Sequence, residues 1–200
     1  MSSSTFAIIG MILYVIFAWP YIRSLWKKDV VFHPYTWLLW VLLGSINAYA
    51  LWTQGNMWSF IAQVLSIIFW CVFCIYGFIS SKKLSLNWID SLCLWSGLIA
   101  IIILIVFWLR EAIIAIIIVD ILAIIPTWKK IYLNPESDKI IPWFGSIFTL
   151  VFYLLSINYW TFESTTFWIY LIIINTSTGL YLLYRKWRNT LDKNAKEIQS

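Results

Sequence analysis

Apolar residues in this chain do not alternate with polar ones at the spacing of a strand or of a half-buried helix. They come in blocks of roughly 20, separated by short stretches that hold nearly all the charge. The blocks cover 6–26, 35–53, 57–80, 88–108, 112–131, 141–160 and 165–184. At about 1.5 Å per residue each is long enough, as a helix, to cross ~30 Å of hydrocarbon. A helix is also the form that satisfies its own backbone polar groups in lipid. The pattern predicts an all-α integral membrane protein with seven transmembrane helices. Composition points the same way, since 62% hydrophobic against 12% charged residues leaves too little polar surface to wet a soluble core. No basic stretch precedes the first block and no small-residue cleavage site follows it, so it reads as a retained helix.

Charge then orients the blocks. Arg23, Lys27, Lys28, Lys82, Lys83, Lys129, Lys130 and Lys139 follow the first, third and fifth, and the tail adds Arg185, Lys186, Arg188, Lys193 and Lys196. Only Arg110, beside Glu111, falls on the opposite side. The excess of Lys and Arg on cytoplasmic loops puts the C-terminus in the cytoplasm and the N-terminus outside. The net charge of +5 is therefore topology, with no nucleic acid implied, although the tail can meet anionic lipid head groups. Tryptophans near the block edges fit interfacial belts: Trp52, Trp58, Trp108 and Trp168 outside, Trp26, Trp128 and Trp187 inside. The expected setting is a bacterial inner (plasma) membrane, with the lipid bilayer as the first partner.

An internal repeat emerges when Pro20 is laid over Pro126, 106 positions later. Arg23 then falls on Lys129 and Trp37 on Trp143. In each half a proline sits late in the first helix, a basic cluster follows, and the second helix opens near a proline and a tryptophan. The halves run in the same direction, giving a 3+1+3 parallel repeat: a first three-helix bundle over 1–83, a linker helix over 84–110, a second bundle over 111–188 and a cytoplasmic tail over 189–200. The linker suits a lipid-facing role, because residues 98–109 are all apolar. Asp90 lies in its first turn after Asn87, where the helix dipole favours a carboxylate. Pro20 and Pro126 are candidate hinges, each removing a backbone hydrogen bond and crowding the preceding turn. Equally, prolines are tolerated in membrane helices whose neighbours satisfy the freed carbonyls.

Candidate chemistry is sparse and central. Asp120 falls about 12 Å from the outer edge of its block, near mid-bilayer. Facing lipid it would cost a few kcal/mol, so it is expected to face the bundle interior or a wet cavity. One titratable group at a central site is what proton coupling requires; the alternative is a hydrogen-bonded structural acid pinning its helix. Its counterpart in the first half is Tyr14, a polar neighbour without charge. Asn47, Gln63, Ser66, Asn175, Thr176 and Ser177 are uncharged hydrogen-bonding groups at membrane depth. They are read either as solute contacts or as interhelical packing worth about 1 kcal/mol each.

Other signals drop out. Cys71 and Cys74 are three apart on one apolar helix and read as packing residues, while Cys93 has no evident role. His33 is the lone histidine and lies in a loop, so no metal site of several histidines can be built; no cofactor is expected. Glu136 and Asp138 read as a solvated loop. No serine, histidine and acid share one membrane level and no glycine-rich phosphate loop is present, so an enzyme is not expected.

Seven helices with the N-terminus outside, the 3+1+3 parallel repeat, Pro20 and Pro126 followed by basic residues, and Tyr76-Gly77 closing the third helix together resemble the SWEET and PQ-loop transporters. Where that family carries glutamine after the proline, this chain has Tyr21 and Thr127. The resemblance implies alternating access of two three-helix bundles about a central site, with hinges at Pro20 and Pro126. It also implies solute contacts from the seventh helix at Asn175 and from tryptophan near the third-helix counterpart, here Trp70 beside Phe69. Related architectures include vitamin-precursor channels and a peptide-binding receptor, so the fold alone does not fix the activity. The reading is a transporter or facilitator for a small polar solute (sugar, amino acid, nucleoside or vitamin precursor), with proton coupling through Asp120 as an option. Its central site is expected from Asp120, Asn175, Asn47, Trp70, Gln63 and Tyr14. The rival is a receptor, sensor or complex subunit that keeps the fold without moving solute. A homo-oligomer stays open, although two repeats in one chain remove the need for a dimer to complete the cavity.

Overall fold

The computed structural model describes residues 1–27, 34–80 and 88–199. Several positions named above lie outside the described residues: Lys28, His33, Lys82, Lys83 and Asn87, and the side chains of Asp90, Cys93, Pro126, Lys130, Lys193 and Lys196. The protein is all-helical, with α1 Ser3–Lys27, α2 Pro34–Thr53, α3 Met57–Ser80, α4 Trp88–Val106, α5 Leu109–Leu133, α6 Ile140–Leu155 and α7 Phe162–Gln199. A short 3-10 turn, Pro135–Ser137, joins α5 to α6. Three helices among the described residues are long and apolar enough to cross a membrane: α1, α3 and the Phe162–Leu191 part of α7. The distribution of side chains supports that setting. Large aliphatics recur on outward faces at helical spacing, as in Ile8, Ile12 and Ile16 on α1 or Ile114, Ile118, Ile121 and Ile125 on α5. Meanwhile Asn47, Ser59, Gln63, Thr149, Ser156 and Thr178 are buried. Water would not tolerate such continuous apolar stripes on a monomer, whereas hydrocarbon does.

Packing repeats between the halves. The third helix of each triplet lies between the other two: α3 contacts both α1 and α2, and α7 contacts both α5 and α6. Among the described residues, the backbones of α1 and α2, and likewise of α5 and α6, do not approach within 8 Å. Across the halves, α1 packs along α6 and α2 meets α5 and α7, while α4 rests on α2 and α5. Small residues set the closest approaches, as expected where hydrophobic burial alone does not drive helix association. A Cβ at Gly145 would fall 2.2 Å from the Phe17 ring, and one at Gly10 would fall 2.6 Å from that of Tyr153. These glycines let α1 and α6 lie side by side.

Some boundaries differ from the sequence expectation. The sixth apolar block was expected to be helical to residue 160, but α6 stops at Leu155 with Ser156 as its cap. Asn56, in the α2–α3 turn, supplies the reason. Its Oδ1 accepts from the backbone N–H groups of Asn158 and Tyr159 at 2.9 and 3.0 Å, and its Nδ2 donates to the Tyr159 carbonyl at 3.2 Å. Those groups serve a turn instead of another helical coil. Thr161 and Ser164 then start α7 by reciprocal capping: the Thr161 N–H donates to Ser164 Oγ and the Ser164 N–H to Thr161 Oγ1. Gly55 makes the sharp α2–α3 turn at φ 72°, where a side chain would be strained. At its other end, α7 continues as helix to Gln199, through what was read as a tail.

Two residues sit elsewhere than expected. Trp168, read as part of an interfacial belt, is 1% exposed and packs edge-on to Tyr153 with centroids 5.3 Å apart. Asp138, read as solvated, is 7% exposed, and side chains of α1 and α6 reach it. There it accepts from its neighbour's backbone at Lys139 N, from Trp143 Nε1 and from Tyr21 Oη. Glu136 stays exposed and pairs with Lys186 at 3.3 Å.

Candidate functional site: an aromatic cavity with one carboxylate

The two triplets do not close on each other completely. Between them lies a cavity with about 160 Å³ open to the centres of water molecules. Every helix except α4 contributes to its wall among the described residues, which fits a helix whose contacts are confined to α2 and α5.

Among the described residues Asp120 is the one carboxylate in that wall, and it is 5% exposed. Two helices hold it. From α2, Trp40 donates its indole N–H to Oδ1 at 3.0 Å; from α7, Tyr170 donates its hydroxyl to Oδ2 at 2.8 Å. Each oxygen thus keeps acceptor capacity for another donor. The arrangement spans both triplets, since Trp40 belongs to the first and Asp120 and Tyr170 to the second. Among the described residues no Lys, Arg or His lines the cavity.

Aromatic rings make most of the remaining surface. Trp37 and Trp40, three apart on α2 and so on one face, stand nearly perpendicular at 86° with centroids 4.8 Å apart. Trp70 of α3 follows Trp40 at 6.3 Å, and Phe73 lies 4.7 Å from Trp37. Gly44 makes room for this group: a Cβ there would lie 2.4 Å from Trp70 Cζ3 and 2.8 Å from Gln63 Nε2. Opposite, α6 and α7 bring Trp143, Tyr153, Phe167 and Trp168 to the wall.

The polar groups of the wall are few, and their donors are largely engaged. Ser66, Ser146 and Thr149 each give their hydroxyl proton to the carbonyl four residues back, at Ala62, Pro142 and Gly145. Asn175 donates from Nδ2 to the Leu171 carbonyl at 2.7 Å, which leaves its Oδ1 as an acceptor. Gln63 Nε2 and Trp168 Nε1 are buried donors without a hydrogen-bond partner.

Of the residues selected from sequence, Asp120, Asn175, Trp70, Gln63 and Tyr14 border the cavity. Asn47 does not. It is fully buried on α2 and donates to Gln63 Oε1 at 3.3 Å, so it packs α2 on α3. Thr176 and Ser177 bond back to their own helix and are not in the wall. Tyr14 stacks edge-on to Phe69 at 5.3 Å, and the hydrogen bonds to Asp120 come from Trp40 and Tyr170 instead. Both α1 and α5 run as continuous helix through Pro20 and Pro126. Cys74 packs with its Sγ 3.5 Å from the Pro34 carbonyl, and no group of His, Cys, Asp and Glu able to hold a metal ion occurs among the described residues. Sequence reasoning missed Trp37, Trp40 and Tyr170. The available signal was the Trp37–Trp40 spacing and a tyrosine five residues before Asn175 at membrane depth. No protein-family model, curated protein or solved structure matches the chain.

Proposed function

We propose that this chain is a seven-span membrane transporter or facilitator, N-terminus outside and C-terminus cytoplasmic, that carries a small polar solute by alternating access. The observation that carries the reading is Asp120: an acid near mid-helix that borders an internal cavity, with its hydrogen bonds drawn from both triplets. Support for the 3+1+3 parallel repeat comes from the recurring order of packing, third helix between first and second, in each half.

In this reading the ends of the two triplets open in turn. At the Ser3 end, taken as outside, the halves are fastened by the Asn56 hydrogen bonds and by Ser59 with Ser156 at 2.8 Å. Ser3 also bonds Asn158 there. At the Lys27 end, Tyr21 of α1 reaches Asp138 of the second half. Access from either side breaks one set and keeps the other, with α1 and α5 bending at Pro20 and Pro126. Proton coupling, where present, runs through Asp120. The bacterial inner membrane is the proposed location.

Counterflow in liposomes tests the proposal. Vesicles containing the chain are preloaded with unlabelled sugars, amino acids, nucleosides or vitamin precursors, then given labelled solute outside. We expect accumulation of at least one class, reduced at least tenfold by Asp120→Asn. Tight binding without flux would instead make the protein a receptor.

A further inference from the structure

We infer that the solute is a small organic monocation, a protonated amine or methylated ammonium, held by Asp120 and the tryptophans of α2 and α3. The inference rests on the transport reading for its setting and narrows the class of solute. Three features of the cavity carry it.

Charge is the first. Among the described residues Asp120 is the sole carboxylate in the wall, and no Lys, Arg or His faces it there. Each carboxylate oxygen has one protein donor and room for another. A cation brought to this place supplies the missing counter-charge, whereas an anion would meet unopposed repulsion.

Ring geometry is the second. Trp37 and Trp40 line the cavity packed edge to face, at 86° with centroids 4.8 Å apart, and Trp70 continues the wall at 6.3 Å. Trp40 is also the residue bonded to Asp120, so the indole rings and the carboxylate belong to one corner of the cavity. Cations bind to tryptophan faces best of all aromatic surfaces, and desolvated sites strengthen the attraction.

Hydrogen-bond polarity is the third, and it separates a cation from a polyol. The hydroxyls of Ser66, Ser146 and Thr149 and the amide N–H of Asn175 already donate to carbonyls of their own helices. What they offer inward is acceptor lone pairs, which match N–H donors on a solute. A sugar needs donors and acceptors in equal supply around its ring, whereas among the described residues the wall's acceptors, these four and the two oxygens of Asp120, outnumber its unpartnered donors, Gln63 Nε2, Trp168 Nε1 and Tyr153 Oη. The phenols of Tyr14 and Tyr153 either give or take a hydrogen bond and discriminate neither way. Gln63 Nε2 and Trp168 Nε1 leave room for an oxygen elsewhere on the same molecule.

Matched pairs of probes test this on the unaltered, purified full chain: guanidinium against urea, and phenethylammonium against 2-phenylethanol, each followed by tryptophan fluorescence and thermal shift. The expected result is that each cation acts at a concentration at least tenfold lower than its neutral isostere. Asp120→Asn is expected to erase the difference, and Trp37→Leu to weaken the cations severalfold, in protein that remains monodisperse. Equal response to cation and isostere, or a preference for glucose over both cations, would overturn the inference. The comparison on the unaltered chain needs no variant, so misfolding of a variant does not blunt it. Cations that bind but show no counterflow would refute transport and leave this inference standing. Counterflow of neutral solutes with inert cations would do the reverse.

Discussion

At the scale of single residues, Asp120 depends on its two donors. A hydrogen bond to a charged group contributes about 1.5–3 kcal/mol, and a neutral one about 1 kcal/mol. Tyr170→Phe deletes only the hydroxyl that reaches Oδ2. It is expected to lower stability in detergent by about 1–3 kcal/mol, read from thermal or denaturant unfolding, and an unchanged midpoint would mean the bond contributes nothing. Gly44→Ala probes the opposite fault, overpacking, which costs about 1–3 kcal/mol in a tight core. Its methyl would drive Trp70 and Gln63 from their places, so cation affinity is expected to fall together with stability. That Asp120 faces inward was legible in the sequence, because depth follows from residue count and lipid penalises the acid. Its partners were not, since the choice of Trp40 and Tyr170 over Tyr14 depends on which helices become neighbours. Asn47 misled for a related reason: a polar group at membrane depth looks the same in sequence whether it meets a solute or, as here, Gln63.

At the scale of elements, helix positions were legible because the apolar blocks are long and the charges fall between them. Ends were less so. The sixth block carries no breaker before residue 160, and α6 stops because Asn56, distant in sequence, captures the backbone of Asn158 and Tyr159. Asp138 went unread for the same reason, its burial depending on Tyr21 and Trp143 folding over it. Asn56→Ala removes three hydrogen bonds and is expected to destabilise the Ser3 end by about 2–3 kcal/mol. Hydrogen exchange reads this directly: amides of Asn158 and Tyr159 are expected to exchange at least tenfold faster, while those of the buried α6 core change little. Uniform acceleration across α6 would instead mean that Asn56 holds the whole fold and not one end of it.

At the scale of the whole molecule, among the described residues every helix but α4 lines the cavity, so the site draws on both α1–α3 and α5–α7. The order of packing, with α3 between α1 and α2 and α7 between α5 and α6, could not be read from spacing. A cation-selective carrier in such a frame needs no second ion to accumulate its solute. An inside-negative potential of 100 mV favours entry of one charge by about 2.3 kcal/mol, roughly fiftyfold at equilibrium. Liposomes given a potassium diffusion potential, negative inside, are expected to take up a bound cation faster than unpolarised ones, and indifference to potential would point to exchange with a proton. All of this requires that Asp120 look onto water and not onto acyl chains. Cysteine reactivity decides it: with Cys71, Cys74 and Cys93 replaced by serine, Asp120→Cys is compared with Ile121→Cys, its outward neighbour, using a charged, membrane-impermeant methanethiosulfonate in proteoliposomes. The account predicts modification at Asp120→Cys at least tenfold faster than at Ile121→Cys. Equal inertness at both positions, or faster reaction at Ile121→Cys, would contradict it.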